Sequence, residues 1–310
     1  MTTNLGMIVN SVFLGSKKFG LNLFKALYEA DPTINWTVLC PPDLNDMRTY
    51  FSEFQDYAKL KDIDLLTATS PAMVEQYALD NKPDVMIVCG YYRILSAELL
   101  ENVKLGVWGI HNSILPKYRG GSPLVWQLIN REKVIGSSFF KFTSGMDDGV
   151  VLDQVKIENA EKMTISEASD SIEQAWIAKV PEIWANFCRG DIHPAEQNHK
   201  EASYCAQRQE ADGLIDWKLN AKEIDASIRA QDAPYPRVFF KLNEQIVKIV
   251  NHSIDSREIY GASGQVFQIT DNNVVICCGG CTAIQISKVL IDGTIVDATT
   301  IINSIKMRLI

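Results

Sequence analysis

Of the four histidines in the chain, only His111 stands in a dense polar run, His111-Asn112-Ser113-Ile114-Leu115-Pro116-Lys117-Tyr118-Arg119-Gly120-Gly121. His193 precedes a proline, His199 lies in a charged stretch and His252 follows an expected strand, so these three read as surface residues. An imidazole acts as a base or proton relay when a carboxylate orients it. Asp147, in the turn-rich loop Thr143-Ser144-Gly145-Met146-Asp147-Asp148-Gly149, is the carboxylate whose strand could neighbour that of His111. Alone, His111 suits a structural role and Asp147 a turn. Their pairing is what points to proton transfer.

The elements that must position this pair can be read from periodicity. Met7–Phe13, Trp36–Cys40, Ile63–Leu66 and Val85–Cys89 are apolar runs of strand length. Between them Leu23, Phe24 and Leu27, then Met47, Phe51 and Phe54, then Met73, Val74 and Tyr77 recur at helical spacing. Strands alternating with helices predict an α/β fold with a mostly parallel, doubly wound, Rossmann-like sheet. Gly106–Ile110 predicts another strand, which delivers His111 at its carboxyl end, where open α/β sheets bind ligands. Ser137–Phe142 predicts the strand that runs into the Asp147 loop. Ser166 is the expected cap of a helix carrying Ala168, Ile172, Ala175, Trp176 and Val180. After a polar stretch from Gly190 to Ser203 the pattern changes. Val238–Leu242, Ile246–Val250, Gly264–Ile269, Val274–Cys278 and Ala283–Val289 predict five short strands, suited to a small β-barrel of the oligonucleotide/oligosaccharide-binding type or to a fragment of a sandwich. The expected domains are 1–205 and 206–310.

The chain has 310 residues, of which 46% are apolar and 22% charged, an ordinary globular balance. A net charge of −8 argues against a polyanionic partner, since nucleic-acid binding relies on clustered cations that are not found here. The N-terminus lacks a basic segment followed by an unbroken apolar stretch, and no eighteen apolar residues run together, so the expectation is a cytoplasmic protein without a membrane span. Seven cysteines form no disulfide framework. Cys278 and Cys281 make one Cys-x-x-Cys, with no second pair at zinc-ligand spacing, so no metal is expected.

The run Gly109–Pro123, followed by Gly145-Met146-Asp147-Asp148-Gly149, resembles the folate-dependent formyltransferase family, whose members share His-x-Ser-Leu-Leu-Pro-x-Tyr-Arg-Gly and a later Gly-x-Asp-x-Gly loop. Asp212–Trp217, Ile228–Gln231 and Pro234-Tyr235-Pro236 look like that family's C-terminal region, so the resemblance covers nearly the whole chain. It implies 10-formyltetrahydrofolate as formyl donor, His111 and Asp147 as catalytic residues, and a homodimer formed through the C-terminal domain. The family's catalytic Asn should stand two residues before the His, where this chain has Gly109. Asn112, next to His111, points to the other face if strand alternation persists. Backbone amides, a remote side chain or a rotated Asn112 fills the role, or activity is reduced.

By resemblance Tyr91, Tyr92, Arg93, Ile94 and Leu95, with Gly145 and Met146, border the donor's pterin. By sequence physics alone Tyr91, Tyr92 and Ile94 are packing residues. Ser113, Tyr118, Arg119 and Gly120 are expected on the acceptor side or as shapers of their loop, with Arg119 alternatively a structural ion-pair partner.

Three acceptors come into consideration: a nucleotide-linked amino sugar, aminoacyl initiator tRNA, and a natural-product amine. The tRNA-acting members carry a basic insertion where this chain has the mildly acidic Pro41–Arg48, and Tyr91-Tyr92-Arg93 with Lys117–Gly120 look closer to sugar N-formyltransferases. A nucleotide-sugar needs an aromatic platform and cations; Tyr235, Phe239 and Lys241 are candidates, or else a turn leading into an ordinary strand. The alternative outside enzymes is a folate-binding protein without turnover.

Overall fold

The computed structural model describes residues 10–243 and 245–309. Met7, Ile8 and Val9 of the first expected strand lie outside the described residues. The chain divides into two compact units: residues 1–123, 136–157 and 169–205, and residues 124–135, 158–168 and 206–310.

In the first unit, β1 (Asn10–Leu14), α1 (Lys18–Ala30), β2 (Asn35–Cys40), α2 (Phe51–Lys61), β3 (Asp64–Thr67), α3 (Pro71–Asn81), β4 (Val85–Val88), α4 (Ala97–Asn102) and β5 (Val107–His111) alternate in sequence. After β6 (Arg119–Gly120) come α5 (Pro123–Ile129), which apart from Pro123 belongs to the second unit, then β7 (Val134–Lys141), β8 (Val151–Glu158), α6 (Ile165–Arg189), whose first turn also belongs to the second unit, and β9 (Tyr204–Cys205). The main sheet runs β3-β2-β1-β4-β5-β7-β8, parallel from β3 to β5 and antiparallel at β5–β7. A doubly wound sheet is therefore present, as expected.

Alternation along the strands divides the core between the two faces. Phe13 packs at a tilt against Phe24, Phe24 meets Trp36 edge-on, and Trp36 lies against Trp184 of α6. On the opposite face Val12, Leu14 and Leu39 pack with Val74 and Ala78 of α3 and Leu99 of α4. Each fully buried aromatic or aliphatic side chain contributes about 1.5–3 kcal/mol, which ties the helices to the sheet that carries His111.

Some local readings differ. Met47, expected on a helix with Phe51 and Phe54, is 100% exposed in the loop before α2. Helix α6 begins before Ser166: Thr164 caps it, its hydroxyl accepting from the Glu167 amide (3.3 Å) while Glu167 accepts from the Thr164 amide (2.8 Å). Ser166 instead donates to the Ala233 carbonyl. The polar composition of β8 concealed a strand that is only half-buried.

In the second unit, α7 (Ala221–Ala230) is followed by β10 (Phe239–Leu242), β11 (Gln245–Asp255), β12 (Val266–Ile269), β13 (Val274–Cys277), β14 (Ala283–Ile291), β15 (Thr294–Asp297) and α8 (Ala298–Ile301). The strands form an antiparallel sheet in the order β10-β11-β14-β13-β12, with β15 on β14. It curls around Trp217, Ile224, Ile228, Phe240, Ile249 and Ile286 into a half-barrel, where a small β-barrel or a sandwich fragment was expected. Strand β11 outruns the expected Ile246–Val250 because a bulge near Asn251 lets it bend and continue. His252 consequently lies within a strand, not after one, and its Nε2 sits 2.9 Å from Asp225 Oδ1 with the side chain 11% exposed. Among the described residues, no helix is long and apolar enough to cross a membrane.

Removing the cap by Thr164→Ala is expected to destabilise the protein by about 1 kcal/mol, read as a lowered urea midpoint with an unchanged slope.

Candidate active site

The parallel strands end on one edge of the main sheet, and the loops leaving that edge hold the polar residues. His111 is the last residue of β5 and is 8% exposed. Its Nε2 lies 2.8 Å from the Tyr118 carbonyl oxygen, and its Nδ1 lies 3.6 Å from Asp147 Oδ2. A carbonyl only accepts, so Nε2 carries the hydrogen and the neutral ring keeps its lone pair on Nδ1, facing the carboxylate. The 3.6 Å gap is too long for a hydrogen bond. A proton arriving at Nδ1 converts this lone pair into the donor of an ion pair. Phe140 meets the ring edge-on at 6.1 Å between centroids and limits its tilt.

The two partners of the imidazole are held from behind. Asp147, at φ 48°, receives the Gly120 amide on Oδ2 at 2.7 Å. Tyr118, at φ 58°, occupies the left-handed region uncommon for a bulky residue, and its amide donates to Ser203 Oγ at 2.9 Å. The short strands β6 and β9 pair in parallel, with Arg119 N–H on the Ser203 carbonyl at 2.8 Å and Gly121 N–H on the Cys205 carbonyl at 3.0 Å. The Cys205 thiol donates toward the Tyr118 carbonyl at 3.5 Å, and burial together with the Asp147 charge pushes its pKa up to about 11.

Position 109 decides what the site lacks. A Cβ there would come within 2.5 Å of the Val88 carbonyl oxygen and 2.8 Å of the Phe142 ring. Any side chain requires β4 to move, so the neighbour that the resemblance implied has no room at this position. The Asn112 amide oxygen is enclosed, and Asn112 itself is half-buried.

Other expected residues separate by exposure. Ser113 is fully buried and donates to the Lys117 carbonyl at 2.6 Å, while Arg119 is 2% exposed; both shape the loop from inside and cannot touch an acceptor. Tyr118 and Gly120 are half-buried. Leu95 belongs to the core beneath α3 and α4, and Tyr91, half-buried, packs against the same cluster. Tyr92 (70%), Ile94 (93%) and Met146 (59%) stay open, with Arg93 and Gly145 also exposed. Tyr92 lies beneath two cations, Lys17 at 5.8 Å and Arg48 at 5.7 Å. Lys17 is buried and held by Asp43 (2.8 Å) and Asp46 (2.9 Å). Burial opposes ionisation of Asp46, but hydrogen bonds from Arg48 and Lys17 outweigh it and hold its carboxyl well below the usual range. A cavity of about 380 Å³ opens beside this cluster, lined by residues 42–46, Ala68, Thr69 and Arg93 at the carboxyl ends of β2, β3 and β4.

Two family models match, Formyl transferase over residues 42–182 and Formyl transferase, C-terminal domain, over residues 208–306. The chain belongs to the formyl transferase family. A methionyl-tRNA formyltransferase of Acetivibrio thermocellus is 26% identical over 274 residues, spanning 86% of this chain and 88% of that protein. Among solved structures, WlaRD, a sugar 3N-formyl transferase, superposes with a TM-score of 0.68 at 18% identity, over 91% of this chain and 98% of that one. The N-formyltransferase from Helicobacter canadensis, solved with folinic acid and dTDP-3-aminofucose, gives 0.68 at 17% identity, over 90% and 99%.

In this formyltransferase the second unit holds three further candidates. Phe239 is 6% exposed and its ring edge lies against Gly213, which leaves no face for a base to stack on. Tyr235 is half-buried, and Lys241 is exposed on β10. The residues missed by sequence reasoning lie in the stretch 190–203, read as plain polar chain. Gln197 and Ser203 come from it, and their only mark is a lack of apolar periodicity, which loops everywhere share.

Two outcomes are expected. Gly109→Ala should destabilise by about 1–3 kcal/mol through overpacking against β4, measured by chemical denaturation. With its pKa near 11, Cys205 is a thiol at pH 8 and should react with iodoacetamide about 100-fold slower than free cysteine. Its rate should climb tenfold per pH unit toward pH 10, followed by mass spectrometry of the alkylated peptide.

Proposed function

We propose that this enzyme moves the formyl group of 10-formyltetrahydrofolate to the amine of a nucleotide-linked amino sugar, with His111 and Asp147 as the catalytic pair. The observation that carries the reading is His111 Nδ1 facing Asp147 Oδ2 at 3.6 Å while Nε2 is tied to a backbone carbonyl. When bound, the donor supplies an activated formyl carbon. An attacking amine must shed a proton, and Nδ1 is the nitrogen of the ring with a lone pair to take it. Asp147 then stabilises the imidazolium, the Tyr118 carbonyl keeps the ring from turning, and Nδ1 would return the proton to the donor nitrogen as its bond to the formyl carbon breaks.

The residues present suit a reduced folate. Tyr92, Ile94 and Met146 offer exposed apolar surface for a flat ring system, and the exposed Arg93 guanidinium at the cavity is a partner for the carboxylates of a glutamate tail. For the acceptor, the net charge of −8 and the neutralisation of Lys17 by Asp43 and Asp46 leave little to attract RNA phosphates. The likeness in fold to sugar formyltransferases supports the same choice. The sequence relatives that act on methionyl-tRNA favour a second reading, aminoacyl-tRNA as acceptor.

Protein supplied with 10-formyltetrahydrofolate should formylate a nucleotide-linked amino sugar from a panel and leave methionyl-tRNA untouched. His111→Ala should lose at least about 100-fold in turnover while keeping its circular dichroism and melting temperature. Formylation of aminoacyl-tRNA alone overturns the sugar reading. Donor binding without transfer to any amine overturns the catalytic one.

A further inference from the structure

Gln197 is 6% exposed, and every hydrogen-bonding valence of its amide is used. Its Oε1 accepts from Arg119 Nη2 at 2.7 Å and from Nε at 3.2 Å. Its Nε2 donates to the carbonyl of Asp147 at 2.8 Å and to that of Gly149 at 2.7 Å. The amide orientation follows from the partners, because a guanidinium only donates and a carbonyl only accepts. Arg119 lies between the two backbone groups that hold the catalytic pair, the Tyr118 carbonyl on His111 and the Gly120 amide on Asp147. Arg119 is 2% exposed, and among the described residues its guanidinium meets Gln197, His199 Nδ1 at 3.1 Å and the Tyr204 hydroxyl at 3.5 Å, none of them a carboxylate.

We propose that Gln197 is a positioning residue for formyl transfer, joining the loop that anchors His111 to the loop that carries Asp147 so that the imidazole and the carboxylate keep their separation. The proposal rests on the catalytic reading of that pair. A closed circuit results, from His111 through Tyr118 and Arg119 to Gln197, and back through Asp147. A primary amide suits this place, since one end must accept from a guanidinium and the other must donate twice. Glutamate would satisfy Arg119, but it loses both donors and turns lone pairs toward the Asp147 and Gly149 carbonyls. Small misplacements of a catalytic group can cost about 100-fold in rate.

The test is Gln197→Glu, which keeps an acceptor for the buried guanidinium. Its kcat is expected to fall about 10–100-fold, with KM for the donor within about threefold and the melting temperature nearly unchanged. In an Asp147→Asn background the same substitution should change kcat by less than about threefold, because its effect runs through the carboxylate. Equal losses in both backgrounds, or full kcat in the single variant, overturn the proposal. Wild-type protein inactive with every acceptor defeats the catalytic reading instead. The positioning is then judged from the ¹⁵N signals of the His111 ring, assigned against His111→Ala, which should move in Gln197→Glu while those of His193 stay; unmoved His111 signals overturn it. Should Gln197→Glu fail to fold, Gln197→Met takes its place, and loss of structure in both assigns Gln197 to folding alone.

Discussion

The hydrogen bond from the Gly120 amide to the Asp147 carboxylate, 2.7 Å long, joins loops that are 27 residues apart in sequence. Without it the carboxylate has no fixed direction, because its 3.6 Å approach to the imidazole is too long to orient either group. Gly120 takes φ 103°, and a Cβ there would strike the Cys205 carbonyl at 2.4 Å. The close pairing of β6 with β9 is therefore possible only with glycine at this position. That pairing holds Tyr118, whose carbonyl fixes the imidazole tautomer. Backbone groups therefore fix the geometry of this pair as much as its two side chains do.

A second constraint lies one strand inward. Strand β4 approaches β5 so closely at Gly109 that the Val88 carbonyl and the Phe142 ring occupy the space of a side chain. The imidazole–carboxylate pair is thus set beside an apolar wall of Phe140 and Phe142, whose rings lie 5.0 Å apart. On the proposed mechanism, a charge developing on Nδ1 next to that wall is poorly solvated, which strengthens its attraction to Asp147. The same mechanism places a second developing charge on the formyl oxygen, and position 109 has no side chain to stabilise it.

The cations of the sheet edge are largely committed to internal partners. Lys17 and Arg48 hold the 43–48 loop through Asp43 and Asp46 and flank Tyr92, whereas Arg119 is buried among neutral acceptors. Arg93 is exposed beside the cavity. On the proposed reading, such an edge receives a ligand carrying few carboxylates and not a long polyanion.

The alternation of apolar runs and helical spacings determined the doubly wound sheet, because burial on two faces and period-2 side chains leave few other arrangements. The placement of His111 at the carboxyl end of β5 followed from the same pattern, and the likeness of Gly109–Pro123 and Gly145–Gly149 to the formyltransferases was legible residue by residue. Sequence physics read Tyr91, Tyr92 and Ile94 alike as packing residues and did not reveal that Leu95 is core while Tyr92 and Ile94 stay open, since consecutive apolar residues in a loop carry no period. Nor did it mark Gln197, Ser203 or Cys205: their partners lie 48 to 87 residues away. Only the tertiary structure decided which nitrogen of His111 is free, because that depends on a carbonyl presented by another turn of the chain, and distance in space is not written in spacing along the sequence.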